Sequence, residues 1–233
     1  MKFGDKTVID NLNFEVIKGE TFGFLGSNGS GKTTTLRALL GIYEPTAGEL
    51  LVDGKPYAVD GDVRIGYLPE ERGLYKKETV RDTMVYFGEL KGMNKEDALK
   101  FTDEYLIKVG LKDHIDTRVD KLSGGQQQKV QLGITIMNDP ELLILDEPTK
   151  GFDPVNRKLL MDIIKERQAN GATVMMVTHQ MDEVEQVGDR ILLLRDGTAY
   201  EYGTVADIRK KHDNAHMEDI FIEVYEKSEG DES

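Results

Sequence analysis

Thr21-Phe22-Gly23-Phe24-Leu25-Gly26-Ser27-Asn28-Gly29-Ser30-Gly31-Lys32-Thr33-Thr34 is the stretch of this 233-residue chain that decides its fold. Thr21 to Leu25 is a short apolar run, the composition of a strand covered on both faces. It leads directly into a loop with glycine at 26, 29 and 31. From about Lys32 a helix is expected, with Leu36, Leu39 and Leu40 on one face and Gly41 at its end. Strand, glycine loop and helix in that order form an anion cradle. The glycines let backbone N–H groups wrap a polyphosphate, and the helix adds the positive end of its dipole. Lys32 is expected to reach the β- and γ-phosphates, the Thr33 hydroxyl to ligate Mg²⁺, and Thr34 to donate to the α-phosphate. Ser27, Asn28, Gly29, Ser30 and Gly31 complete the cradle. The competing reading is a glycine-rich turn with an incidental lysine, and the flanking strand and helix argue against it.

Three other stretches bear on the same chemistry. Leu142-Leu143-Ile144-Leu145-Asp146-Glu147 is an apolar strand ending in two carboxylates. Beside a phosphate loop, Asp146 is expected to hold Mg²⁺ through water and Glu147 to polarise the attacking water as general base. Taken alone, the pair serves equally well as a helix cap. Leu122-Ser123-Gly124-Gly125-Gln126 reads either as a flexible turn or as a second anion site. In the latter, the Ser123 hydroxyl, the Gly125 N–H and the following helix N-terminus all face phosphate. One small domain does not readily close this site and the phosphate loop on the same γ-phosphate, whereas two head-to-tail copies can. His179 follows the strand Thr173 to Val177, and a strand's carboxyl end favours a γ-phosphate contact over a purely structural role. His114, His212 and His216 lie in polar stretches and are expected to be exposed.

The surrounding pattern is α/β. Thr7 to Ile17 suggests edge strands. Gly48 to Lys55 reads as a hairpin about Asp53-Gly54, and Arg64 to Leu68 as a strand. Thr79 with Asp82 and Asn94 with Asp97 open two helices, and Ser123 opens a third, so residues 76–139 form a helical insert. Asp153-Pro154 starts a further helix that Gly171 closes, and Ala172 to Thr178 is another buried strand. Ile191 to Leu194 and Thr198 to Tyr202 flank the Asp196-Gly197 turn. Residues 1–75 and 140–227 make the nucleotide-binding core with its antiparallel β part, and 228–233 reads as a disordered tail. Alternating β and α with apolar strands implies a mostly parallel sheet whose ligand lies beyond the strand ends. Gly26, Glu70, Asp146 and His179 all follow such ends.

Composition excludes several functions. A net charge of −13 argues against a nucleic-acid partner and against docking on anionic lipid. The absence of cysteine removes disulfide, thiolate and zinc-thiolate chemistry. No apolar run approaches the roughly 18 residues of a membrane span, so direct insertion into lipid is not expected. A cytoplasmic protein is expected, with any membrane role supplied by a separate subunit.

Together these motifs, in this order and spacing, resemble the ATP-binding subunit of an ABC transporter over nearly the whole chain. The resemblance implies a P-loop NTPase with a RecA-like, mostly parallel sheet, an antiparallel β subdomain and an inserted α-helical subdomain. It implies ATP and Mg²⁺ bound at a dimer of this chain with itself or with a paralogous ATPase subunit. It assigns adenine stacking to Phe3, metal ligation to Glu70, coupling of the two sites to Asp153 within Gly151-Phe152-Asp153-Pro154, and the switch role to His179. Leu68-Pro69-Glu70-Glu71-Arg72-Gly73-Leu74-Tyr75 and His216-Met217-Glu218-Asp219-Ile220-Phe221 resemble the branch serving ABC-2-type permeases, mostly exporters that include sodium- and drug-efflux-like systems. The implied location is the cytoplasmic face of the membrane. Arg72, Leu74, Tyr75, Tyr86 and Phe87 are then candidate permease contacts, with packing inside the insert an equal reading for Tyr86 and Phe87. The alternative is a soluble ABC ATPase acting on ribosomes or DNA. The ribosomal type usually carries two cassettes, and the DNA-repair type a long coiled coil that this chain lacks. Three positions depart from the family pattern. Glu70 stands where Gln is usual. Lys150 and Phe152 replace Ser or Ala and Leu. A strand that normally precedes Phe3 is missing, which implies a start downstream of it.

Overall fold

The computed structural model describes residues 1–56, 63–71 and 73–226. The expected tail at 228–233 and the candidate contact Arg72 lie outside the described residues. The chain forms two compact units, one of Met1–Asp62 with Met175–Ser233 and one of Val63–Val174.

In the first unit β1 (Lys2–Phe3) pairs antiparallel with β2 (Lys6–Thr7), and β3 (Thr21–Gly26) is buried along its whole length. Helix α1 (Lys32–Leu39) follows the glycine loop, and β4 (Leu51–Val52) and β5 (Lys55–Pro56) form the hairpin expected about Asp53-Gly54. The edge strands expected over Thr7 to Ile17 stop at Thr7. The reason is local. Asn11 takes a left-handed backbone (φ 44°), and the Asn13 amide donates to the Asn11 carbonyl and side chain. Asn and Asp favour such turns over a ladder. Within this irregular stretch Phe14 stacks on Phe22 and Phe24, with ring centroids 5.6 Å apart in each case.

The second unit begins with β6 (Ile65–Leu68). Helices α2 (Val80–Leu90), α3 (Lys95–Lys108) and α4 (Gly124–Ile136) follow, and each starts at the residue whose side chain caps it. Thr79 accepts from the Asp82 N–H, Asn94 from the Asp97 N–H, and Ser123 from the Gln126 N–H. Caps of this kind are worth about 1 kcal/mol each, because helix ends otherwise leave donors unsatisfied. The helices approach closely at Gly133, where a Cβ would stand 2.4 Å from the Tyr105 ring. His114, expected in solvent, is instead half-buried, with its Nε2 3.0 Å from the Gln126 amide. Strand β7 (Leu142–Asp146) pairs parallel with β6, and α5 (Pro154–Ala169) starts at Asp153.

The boundary between the units falls within β8 (Thr173–Thr178). After it the first unit resumes with α6 (Met181–Val187), β9 (Arg190–Arg195), β10 (Thr198–Thr204), α7 (Val205–Lys211) and α8 (Met217–Glu226). β9 lies parallel to β3 and antiparallel to β10. A register shift between Ala199 and Glu201 accompanies a buried Glu201 carboxylate, which Lys211 (2.6 Å) and His212 (3.2 Å) reach. His212 is therefore largely buried, against expectation, while His216 is exposed as expected.

The end of α2 is tied to the end of α4. Lys91 Nζ donates to Thr135 O at 3.0 Å, and Asn138 Nδ2 donates to Lys91 O at 2.6 Å. Burial pushes the Lys91 ammonium down to about 8 from the ordinary lysine value of 10.5. Between those values the unfolded chain binds more protons at this site than the folded one. This group's contribution therefore becomes more favourable as pH rises through the window, and it is least favourable below pH 8. Lys91→Met removes the charge and keeps an apolar stem. Its stability relative to the parent, read from urea midpoints, is expected to fall as pH rises through that window. A difference that does not change with pH would show that the ammonium stays hydrated.

Candidate nucleotide-binding and catalytic site

The phosphate loop in the first unit is built from backbone constraints. Gly31 sits at φ 110°, open to glycine alone, and a Cβ there would meet Ile9 Cδ1 at 2.4 Å. Lys32 is only 8% exposed, and its Nζ donates to Gly26 O at 2.7 Å and to Ser27 O at 3.0 Å. The lysine thus closes the loop on itself and keeps a positive charge at the start of α1. Asn28, Gly29 and Thr33 are exposed at the mouth of the loop, and Thr34 is half-buried. Ser30 is buried, its hydroxyl set against Gly26, and its carbonyl accepts from the Gly197 N–H at 3.0 Å. The Ser27 N–H is taken by the Tyr225 hydroxyl at 2.9 Å.

Two further residues of this unit carry expectations. Phe3 is 45% exposed and presents an edge-to-face contact to Tyr43, with centroids 5.4 Å apart. The Arg37 guanidinium lies 5.6 Å from the Tyr43 ring centre and donates to its hydroxyl at 2.9 Å, which fixes the ring against which Phe3 rests. His179 is exposed directly beyond the end of β8.

The second unit holds the carboxylates. Parallel pairing of Leu68 with Leu145 brings the ends of β6 and β7 to one side, so Glu70, Asp146 and Glu147 follow neighbouring strand ends. Asp146 and Glu147 are both 7% exposed. Glu147 sits at φ 46°, a conformation that costs a non-glycine residue energy and that clusters at functional sites. Lys150 Nζ contacts Glu70 Oε1 at 2.5 Å. That hydrogen bond, with the charges of Glu70, Glu147 and Asp146, holds the Lys150 ammonium above the ordinary lysine value. The two departures Glu70 and Lys150 are thus one ion pair. Its partners lie 80 residues apart in the chain, and neither residue type alone announces the other.

At the head of α4 the Ser123 side chain accepts from the Gln126 N–H at 3.3 Å, while Gln126 Oε1 accepts from the Ser123 N–H at 2.8 Å. Ser123 is exposed and Gly125 half-buried. A Cβ on Gly125 would lie 3.8 Å from the buried Phe152 ring, so the aromatic at 152 floors the glycine turn. Asp153 caps α5, accepting from the Val155 and Asn156 N–H groups at 2.9 and 3.0 Å. The Asn156 N–H foremost holds its carboxyl below the usual aspartate range.

The donors expected for a cation are all oxygens, from Thr33, Glu70 and Asp146, which suits a hard ion such as Mg²⁺. Among the described residues no cluster of three or more His, Asp or Glu could hold a metal ion. Sequence reasoning missed Tyr225, Arg37 and Tyr43, which reach the loop or Phe3 through space and carry no motif.

The ABC transporter family model matches residues 9–150. An uncharacterised ABC transporter ATP-binding protein of Methanocaldococcus jannaschii is 47% identical over 209 residues, covering 90% of this chain and 76% of its own. A Nod factor export ATP-binding protein I of Rhizobium sp. (strain N33) is 36% identical over 222 residues, covering 94% and 73%. A solved ATP-binding subunit of an ABC transporter superposes with a TM-score of 0.87 at 26% identity, covering 96% of this chain and 95% of its own.

The Glu70–Lys150 pair has a measurable signature. Without its cation, Glu70 adds unbalanced negative charge beside Asp146 and Glu147, where the anionic nucleotide is expected. Lys150→Ala is expected to weaken ATP binding roughly two- to five-fold, the scale of a solvent-exposed pair. Glu70→Gln placed on that background should recover most of the loss. Nucleotide affinity titrated with and without Mg²⁺ in a double-mutant cycle measures this, and additive effects would show the two groups to be independent.

Proposed function

The chain belongs to the ABC transporter family as an ATP-binding protein, and from that premise we propose that it hydrolyses ATP as a dimer and drives an ABC-2-type exporter. The observation that carries the reading is the buried, left-handed Glu147 beside Asp146, with Glu70 at the neighbouring parallel strand end. A strained carboxylate held next to a metal-type aspartate is what polarising one water requires.

In this mechanism Lys32 and the loop N–H groups hold the β- and γ-phosphates, and Thr33, Glu70 and Asp146 would hold Mg²⁺. The bound ion would neutralise phosphate oxygens and align them for in-line attack. Glu147 takes the proton of the attacking water, and His179 contacts the γ-phosphate. Ser123 and Gly125 of a second copy complete the site. The cap bond uses the Ser123 oxygen as acceptor, which leaves its O–H proton available to a phosphate. Phe3 stacks on adenine, and Asp153 links the two sites. Closure on ATP and release on hydrolysis form the two-state output.

The partner in this reading is a membrane-embedded permease. No helix among the described residues is long and apolar enough to cross a membrane. Tyr75, Tyr86 and Phe87 form a mutual ring cluster with centroids 5.6 to 5.7 Å apart, and the two tyrosines are about half exposed at 50% and 45%. Such an aromatic patch suits a protein interface. Export is supported by the name of the Nod factor relative.

Glu147→Gln separates the steps. Turnover is expected to fall by about 10²-fold or more, the range for loss of a general base. With saturating MgATP the variant should elute as a stable dimer, and a monomer under that condition would overturn the sandwich. A tagged copy of the same variant, recovered from gently solubilised membranes of its native cells, should bring a multi-span membrane protein in stoichiometric amount. Ribosomes or DNA in its place would favour the soluble reading.

A further inference from the structure

Helix α8 is fastened at both ends within the first unit. At its start the Met217 N–H donates to Glu185 Oε2 at 3.0 Å, and Arg209 holds the other Glu185 oxygen at 2.8 Å. Met217, Ile220 and Val224 are each 1% exposed, so one apolar face is covered along its length. At its end Arg195, on β9, donates to Val224 O at 2.9 Å. The last fastening reaches the phosphate loop. Tyr225 Oη donates its one proton to Leu194 O at 2.7 Å and accepts the Ser27 N–H at 2.9 Å. Because that proton is committed to a carbonyl, the hydroxyl can serve Ser27 only as an acceptor. Phe221 packs on the Tyr225 ring, centroids 4.5 Å apart, and limits where the hydroxyl can go.

The peptide so held lies at a sensitive position. Lys32 binds the carbonyls on either side of the Ser27 N–H, those of Gly26 and Ser27. The other end of the loop is pinned by the Gly197 N–H on Ser30 O. The first turn of the loop therefore has two anchors, its own lysine and a hydroxyl from a helix 198 residues further along the chain.

We propose that Tyr225 is a positioning residue for the phosphate loop, so that docking of α8 and nucleotide affinity are two readings of one equilibrium. The proposal rests on the loop binding ATP. Ordering of the Ser27 peptide by the hydroxyl spares the nucleotide that cost, and linkage makes the coupling reciprocal. A nucleotide on the loop then strengthens the docking of α8.

The test is Tyr225→Phe, which keeps the ring and removes only the hydroxyl. The chain contains no tryptophan, so binding is read with a fluorescent ATP analogue plus Mg²⁺. The dissociation constant is expected to rise roughly three- to ten-fold, the scale of one hydrogen bond, with turnover at saturation within about two-fold of the parent. Hydrogen exchange at the peptide containing Ser27 should accelerate, and the analogue should slow exchange in α8 of the parent more than in the variant. An unchanged dissociation constant would overturn the proposal, and a lowered melting temperature with unchanged affinity would make Tyr225 merely structural. Failure of the parent to bind the analogue would sink the nucleotide reading itself, and this inference with it.

Discussion

An ammonium group held nearly out of water by two carbonyls of its own loop is the interaction on which this molecule turns. The chain carries a net charge of −13 and must still attract and hold a polyanion. Lys32, on Gly26 and Ser27, concentrates positive potential at one point and fixes the loop that carries it. Much of the first unit converges on that loop. β3 delivers it, β9 runs parallel beside β3, the Asp196-Gly197 turn pins Ser30, and α8 pins Ser27. Desolvating a lysine is costly unless its donors are satisfied, so the carbonyls and the charge stabilise each other.

The parts of the structure legible in the sequence were those fixed by local chemistry. The helix starts at Thr79, Asn94, Ser123 and Asp153 were readable because a cap is a relation between residues two or three apart. The buried strands were readable because their side chains are mostly apolar, with polar groups such as Thr21, Asp146 and Thr178 at the ends. The failures were of another kind. The stretch after Thr7 alternates like a strand, yet Asn11 and Asn13 settle a turn by bonding to each other. His114 and His212 sit in polar sequence but meet Gln126 and Glu201, partners that only the fold supplies. In the site, every residue named by a motif could be named in advance. Tyr225 and Tyr43 could not, because they act on motif residues from elsewhere in the chain.

The two substitutions that look anomalous one at a time have physical partners. Glu70 adds a negative charge where an anion is to be bound, and Lys150 adds the positive charge that meets it. Phe152 enlarges the side chain ahead of Asp153, and the space it fills lies under Gly125, where no side chain competes. Glu70 and Lys150 are thus two departures that meet in one pair, whereas Phe152 packs against a glycine of the motif itself. Removing Lys150 would leave the Glu70 charge without the cation that meets it, so the two positions are expected to couple energetically.

The head of α4 extends the same economy of charge. Four N–H groups at any helix start lack intrahelical acceptors. Here the Ser123 oxygen takes the Gln126 N–H and the Ser123 carbonyl takes the Gln127 N–H. Gly124 and Gly125, the first two residues of α4, carry no side chain to screen their N–H groups. Directed N–H groups at a dipole end attract an anion without adding any lysine or arginine. A strongly acidic chain can in this way present a second anion-binding surface while keeping the charge that holds it in solution. In the proposed dimer such a surface would gain its full value when the partner brings a phosphate already neutralised in part by its own Lys32 and a metal ion. An anion shared between two weakly attracting faces closes them when it is whole. In the proposed cycle, release of the cleaved phosphate would remove the charge that both faces share, so the geometry that assembles the pair would also let it come apart.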